Sequence, residues 1–196
     1  MIYDITQPLF ECEVFPGDEP PKRQVLQKIS DGDICNLTGL SMCAHNGTHV
    51  DAPFHFLNEG KSVDKVSLEK FIGKAYVEEH NGEVTADDAE NIIKRAEKCC
   101  KGSEKKILIK GDATVTLDAA EVFAKAGTDL IGNESQTVGP LNAPMAVHLV
   151  LLKAEVVLLE GIRLAHVPDG AYFLNCAPLN LSGADGAPCR AVLIEI

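Results

Sequence analysis

Short apolar runs separated by turn residues dominate the first third of the chain. Ile2–Ile5, Gln24–Ile29 and Ile34–Cys43 read as strands, with turns at Pro16-Gly17-Asp18 and Asp31-Gly32-Asp33. From Ser67 onward, helical and strand patterns alternate. Ser67 is placed to cap a short helix over Leu68–Ile72 that stops at Gly73, and Ala75–Glu78 reads as a strand ended by Asn81-Gly82. Thr85 and Asp88 form a capping-box pattern, behind which Ala89, Ile92, Ile93, Ala96 and Cys100 share one helical face. Ile107–Ile109 is a buried-looking strand, and Thr116 can cap a helix over Leu117–Ala126 that Gly127 terminates. Leu130-Ile131 is a short strand entering a polar loop over Asn133–Gly139. Pro144 suits the first turn of a helix running to about Lys153, because its missing donor would go unpaired there. Val156–Leu159 is an uninterrupted apolar strand ending at Glu160-Gly161, and Ala171–Leu174 and Arg190–Ile196 supply further strands. This order predicts an α/β fold with a mixed sheet and a β-rich N-terminal part. No repeat, low-complexity tract or Gly/Ser linker interrupts it, so residues 1–196 read as a single domain.

Composition narrows the function more than the fold. The net charge of −11 argues against a nucleic-acid footprint and against attraction to anionic membranes. The longest apolar run, Val147–Leu152, is broken by His148 and is too short to span a bilayer. No export signal is visible at the start of the chain, which predicts a cytoplasmic protein. Its seven cysteines, Cys12, Cys35, Cys43, Cys99, Cys100, Cys176 and Cys189, contain no Cys-x-x-Cys pair and read as reduced thiols acting as small buried hydrophobes. Cys43, two residues from His45, is the best placed of them to act as a nucleophile.

The strongest chemical signal lies between His45 and His55. Three of the six histidines and an aspartate fall in His45-Asn46-Gly47-Thr48-His49-Val50-Asp51-Ala52-Pro53-Phe54-His55. Gly47-Thr48, the β-branched Val50 and Pro53 oppose a helix. In an extended chain, residues 45, 49, 51 and 55 point to one side. Yet four strand residues at ~3.3 Å each span about 13 Å, and two ligands of one ion, each ~2 Å from it, cannot lie so far apart. The backbone must bend between His45 and His49, and Gly47 permits it. Asp51 can join His49 from the same face, while Pro53 can turn His55 aside. Two imidazoles and a carboxylate suit zinc, or manganese and iron(II), better than calcium or magnesium. Three protein ligands leave a position open for water, as catalytic sites do, and His55 is then the natural proton-transfer group. Glu160 ending an apolar strand and His148 within Met145–Leu152 allow two readings. They are a hydrogen-bonded core histidine with an ordinary strand-end glutamate, or further members of the site.

Together these residues resemble the bacterial kynurenine formamidase and cyclase family of metal-dependent hydrolases. The family pattern His-x-Gly-Thr-His-x-Asp-x-Pro-x-His is matched at every defined position from His45 to His55. The resemblance also runs through Asp4–Leu9, Pro16–Asp18, Glu160–Leu164, Pro178-Leu179 and Ala187–Leu193, and is looser between Gly82 and Asp129. It implies that His45, His49 and Asp51 hold a first divalent metal and that Asp51 bridges to a second held by His148 and Glu160. By the same resemblance His55 is the proton donor and acceptor. The implied fold is the swivelling β/β/α type, and homodimers or higher homo-oligomers are implied as well. The implied reaction is hydrolysis of a small amide, cyclic amide or lactone by metal-activated water, with one or two zinc or manganese ions. In kynurenine formamidases a tryptophan precedes Pro-Gly-Asp and contacts the aromatic substrate, whereas here Phe15 stands there. Phe15 keeps an aromatic face but is smaller, and with no tryptophan and few aromatics in the chain an aryl-stacking pocket is less expected. Two rival readings remain at this point. A metal- or ligand-binding protein on the same scaffold predicts no turnover, and a Cys43 thiol hydrolase predicts activity that resists chelators.

Overall fold

A computed structural model describes residues 1–196. In chain order the strands are β1 (Ile2–Asp4), β2 (Lys22–Gln27), β3 (Leu37–Ser41), β4 (His49–Asp51), β5 (Ile72–Glu79), β6 (Gly82–Val84), β7 (Lys106–Lys110), β8 (Ala113–Val115), β9 (Leu130–Asn133), β10 (Val157–Glu160), β11 (Gly170–Asn175), β12 (Gly186–Pro188) and β13 (Val192–Glu195). The helices are α1 (Ala86–Cys99), α2 (Leu117–Lys125) and α3 (Met145–Lys153). Nine strands form one mixed sheet in the order β1-β13-β11-β5-β7-β9-β10-β4-β12, while β2-β3 and β6-β8 form two-stranded ribbons. The class is the expected α/β with a mixed sheet. At its centre β5, β7, β9 and β10 are parallel, and antiparallel strands flank them.

Strand parity divides the core into two layers. Ile107, Ile109, Ile131 and Leu158 face the helices, where they meet Ala89, Ile92, Phe123, Val147 and Leu151. Leu108, Leu130, Val157 and Leu159 face the opposite side with Ile5, Val50, Phe71, Ile162 and Leu174. Coverage on both faces explains why the central strands read as continuous apolar runs. Full burial of each such side chain contributes about 1.5–3 kcal/mol.

The helix starts follow their caps. Thr85 Oγ1 accepts from Asp88 N–H at 3.3 Å while Thr85 N–H donates to Asp88 Oδ2 at 3.0 Å, closing the capping box. Thr116 Oγ1 likewise accepts from Ala119 N–H. Several local expectations are corrected. Leu68–Ile72 is not a helix but a 3-10 turn over Leu68–Lys70 with no side-chain cap from Ser67, because Ile72 is taken into β5. The strand read over Ala75–Glu78 is longer, β5 spanning Ile72–Glu79, but it ends before Asn81-Gly82 as expected, and Gly82 opens the separate strand β6 by pairing with Ala113. The cysteines are all free, but only Cys176 and Cys189 are buried; Cys35 and Cys99 are exposed. Three-residue strands such as β4 and β12 were invisible in the pattern, because so few residues show no period.

Candidate metal centre

Strand β4 lies between β10 and β12, which sets the site. In these antiparallel pairs His49 faces Glu160 and Asp51 faces Gly186. His49 and Asp51 therefore share the helix-side face with Glu160, while Val50 is driven into the opposite core layer. Gly47 sits at φ +66°, the left-handed bend needed to bring His45 back over the strand. Pro53 begins a 3-10 turn over Pro53–His55, which places the His55 ring 4.1 Å from that of His45. Helix α3 carries His148 across this face from the far end of the chain.

The side chains converge on Asp51. His45 Nδ1 lies 2.8 Å from Asp51 Oδ1, and His49 Nε2 lies 3.4 Å from the same oxygen. His148 Nε2 is 3.5 Å from Asp51 Oδ2 and 3.3 Å from Glu160 Oε1, and His49 Nε2 is 3.5 Å from Glu160 Oε2. His55 Nε2 stands 4.0 Å from Asp51 Oδ2. His49, Asp51 and Glu160 offer ligand atoms within 4.8 Å of one another, and His45, Asp51 and His55 do the same. Proximity alone therefore groups His55 with the possible ligands. Its side chain is 27% exposed, against 1% for His49 and Asp51, so it stands at the mouth of the site rather than its floor.

Burial opposes every charge here, and the ion pairs outweigh it. Burial disfavours the Asp51 carboxylate, but His148, His45 and His49 hold its pKa well below the usual range. The same opposition lifts His45 to about 11 through Asp185 and Asp51, and His49 and His148 to about 9 and 10 through Asp51 and Glu160. One atom is left over. Asp51 Oδ2 is buried and closes no hydrogen bond, although the carboxylate is ionised. A buried anionic oxygen without a partner is costly, and surrounding it with imidazoles and a second carboxylate is the donor set of a divalent cation. The residues fit such an ion.

His45, His49, Asp51, His55, His148 and Glu160 come together here, while Phe15 stands on the wall of the cavity above them. The cavity, of about 240 Å³, is walled by His45, His49, His55, His148 and Glu160, with Phe15, Phe56 and Gln136. His148 is placed beside these carboxylates: the carbonyl of Pro144, the residue before α3, takes its Nδ1–H at 2.9 Å and leaves Nε2 facing Asp51 and Glu160. Cys43 is not on the cavity wall; it lines a separate surface depression with Gly17 and Ser41. Sequence reasoning missed Asp185. Its Oδ2 is 2.8 Å from His45 Nε2 and 3.1 Å from His55 Nδ1. The only signal was its position just before Ala187–Leu193, where the resemblance resumes.

A family model described as "Putative cyclase" matches residues 3–139. The chain belongs to the cyclase family of hydrolases. This cyclase-family chain is 34% identical to a kynurenine formamidase of Bacillus anthracis over 98% of its own length and 97% of that protein's. It is 33% identical to a kynurenine formamidase of Salinibacter ruber, covering 92% and 90% of the two chains. A solved structure described as a potential metal-dependent hydrolase with cyclase activity superposes with a TM-score of 0.81 at 28% identity, over 98% of this chain and 96% of that one. No helix of the cyclase-family chain is long and apolar enough to cross a membrane.

Proposed function

We propose that this chain is a metal-dependent amidohydrolase that cleaves a non-peptide C–N bond in a small formamide or cyclic amide. The observation that carries the reading is the unpartnered, buried Asp51 Oδ2, with His148 Nε2 at 3.5 Å and His55 Nε2 at 4.0 Å, in a carboxylate that His45 and His49 approach through Oδ1 and beside which Glu160 stands. His45, His49 and Asp51 would hold a first divalent cation, and His148 and Glu160 with Asp51 a second, with zinc the first choice and manganese also suited. A cation held there supplies Lewis acidity, polarising a carbonyl and making water acidic enough to attack near neutral pH. The protein's own groups do the rest. Phe15 and Phe56 flank the cavity and can hold the apolar body of a substrate, whose size the cavity of about 240 Å³ limits. His55, at the mouth, takes a proton from water and returns it to the leaving nitrogen, a role typically worth about 10²–10⁴-fold. The kynurenine formamidase relatives favour a formamide over a lactone as substrate.

The assembly proposed is a homodimer or higher homo-oligomer. Its support is the β2-β3 ribbon, exposed along β2, with Val25, Leu26 and Leu40 on its strands and Ile29 and Ile34 on the connection between them at the surface. A lone two-stranded ribbon is marginal in water, so a second copy covering it would account for its apolar side chains. Seven free thiols suit a reducing, cytoplasmic setting.

The deciding experiment combines metal analysis of the purified protein with turnover of formanilides, cyclic amides and lactones, with and without chelator. Bound metal and chelator-sensitive amide hydrolysis are expected. Bound metal with no turnover would make the chain a binding protein, and turnover that survives metal removal would overturn the metal-dependent reading.

A further inference from the structure

Four histidines surround Asp51, and their outer ring nitrogens are held in two different ways. His49 donates its Nδ1–H to the Gly47 carbonyl and His148 donates its own to the Pro144 carbonyl, each at 2.9 Å. Each of these rings therefore turns Nε2 toward the carboxylates. His45 and His55 have no such backbone acceptor. Instead one carboxylate oxygen, Asp185 Oδ2, accepts from His45 Nε2–H at 2.8 Å and from His55 Nδ1–H at 3.1 Å. The atoms left facing Asp51 are His45 Nδ1 at 2.8 Å and His55 Nε2 at 4.0 Å.

The backbone beneath Asp185 is built to hold it there. Its carbonyl accepts from Ala52 N–H at 2.8 Å, and the next residue, Gly186, is paired with Asp51. A Cβ on Gly186 would lie 2.6 Å from the Val50 carbonyl oxygen and 2.7 Å from His45 Cε1. The His45 ring thus rests on bare backbone, and only glycine allows the strand to bring Asp185 this close.

We propose that Asp185 is a positioning residue that fixes the tautomer and ring orientation of His45 and His55 together. The inference rests on the metal-dependent reading of the site. Of the two protons His45 can carry, the one on Nε2 stays with Asp185, so the proton a cation must displace is the one on Nδ1. His55, keeping its proton on Nδ1, presents a bare Nε2 for proton transfer. A carboxylate behind an imidazole also makes the inner nitrogen more basic than a neutral carbonyl does. Because one oxygen serves both rings, metal binding through His45 and proton transfer through His55 depend on the same side chain.

The test uses Asp185→Asn and Asp185→Ala in full-length protein. Neither disturbs the backbone bonds that pin β12, and Asn keeps the size and an accepting oxygen while losing the charge. Nitrogen NMR of histidine-labelled, zinc-loaded protein should show His55 protonated on Nδ1 in the wild type and shifted toward the Nε2–H tautomer in Asp185→Ala. Zinc affinity, from competition with a chelator, should fall about 10–100-fold, the usual loss when such an outer partner is removed. At saturating zinc, kcat should fall with KM little changed, more in Ala than in Asn. Should the Ala variant fail to fold, the Asn variant reads the same quantities. An unchanged His55 tautomer, or unchanged zinc affinity in both variants, would overturn the proposal. If the wild type binds zinc but turns over no amide, the hydrolase reading fails while the tautomer and affinity data still decide the role of Asp185.

Discussion

The β2-β3 ribbon and the ligand segment that follows it treat polar and apolar side chains in opposite ways. In residues 22–41 apolar side chains are left in solvent: Ile34 is 99% exposed and Val25 65% exposed. In residues 45–55 polar groups are taken inside, with His49 and Asp51 each 1% exposed. Burying a charge or exposing an apolar face costs free energy in a single chain, so each inversion needs a partner to offset it. For the ligand segment the partner that fits is a cation between Asp51 and its imidazoles; for the ribbon it is another protein surface. The two regions are neighbours in the sequence, yet it is the ligand segment around which the rest of the chain gathers charged groups, His148, Glu160 and Asp185.

The sharpest way to break this contrast is Asp51→Asn. Removing the central negative charge should empty the site of metal and reduce hydrolysis to background, as metal analysis and turnover would record together. If the variant keeps both, Asp51 is not the centre of the site. Next in size is His55→Ala, for which metal content should be retained while kcat falls by roughly 10²–10⁴-fold. A parallel loss of metal would move His55 into the ligand set, which its distance to Asp51 permits.

A third effect follows from proton competition. His49 and His148 titrate near 9 and 10 in the folded protein, above the ordinary value of 6.5. Their ion pairs therefore stabilise the metal-free protein fully below pH 6.5 and cease to do so as pH rises through 9 to 10. A ligating imidazole must be neutral, so metal uptake near neutral pH should release protons, and affinity should rise with pH. Titration calorimetry in buffers of different ionisation enthalpy measures this directly, and a buffer-independent heat would contradict it. The smallest expected change in folding comes from the ribbon. Ile34→Ser and Val25→Thr should alter monomer stability by no more than about 0.5 kcal/mol, as exposed substitutions usually do. Sedimentation should nevertheless show a weakened assembly, whereas an unchanged mass at every dilution would separate the ribbon from any interface.

Much of the site was legible because its chemistry is local. Gly47 at a positive φ, Pro53 opening a turn and the shared face of His49 and Asp51 are properties of eleven consecutive residues, and spacing arguments reach that far. The Thr85 and Thr116 caps were legible for the same reason. His148 and Glu160 were ambiguous from the residues alone, because an imidazole in an apolar helix looks the same whether it meets a carbonyl or a carboxylate. The family resemblance, not the pattern, is what favours the site reading of the pair. Asp185 was not legible at all. It lies in a short loop with no periodicity, and its meaning arises only when β12 pairs with β4 across 140 positions from His45.

The sequence by itself determined the donor types, the bends that let them converge, and the alternation of helices and strands that builds an α/β sheet. Those follow from backbone preference and from groups a few residues apart. The tertiary structure alone decided which oxygen of Asp51 is left without a partner, which ring nitrogen of each histidine faces it, and that a single carboxylate holds two of those rings. Such facts depend on strand register and on burial, and both are set by packing between segments that are far apart in the chain.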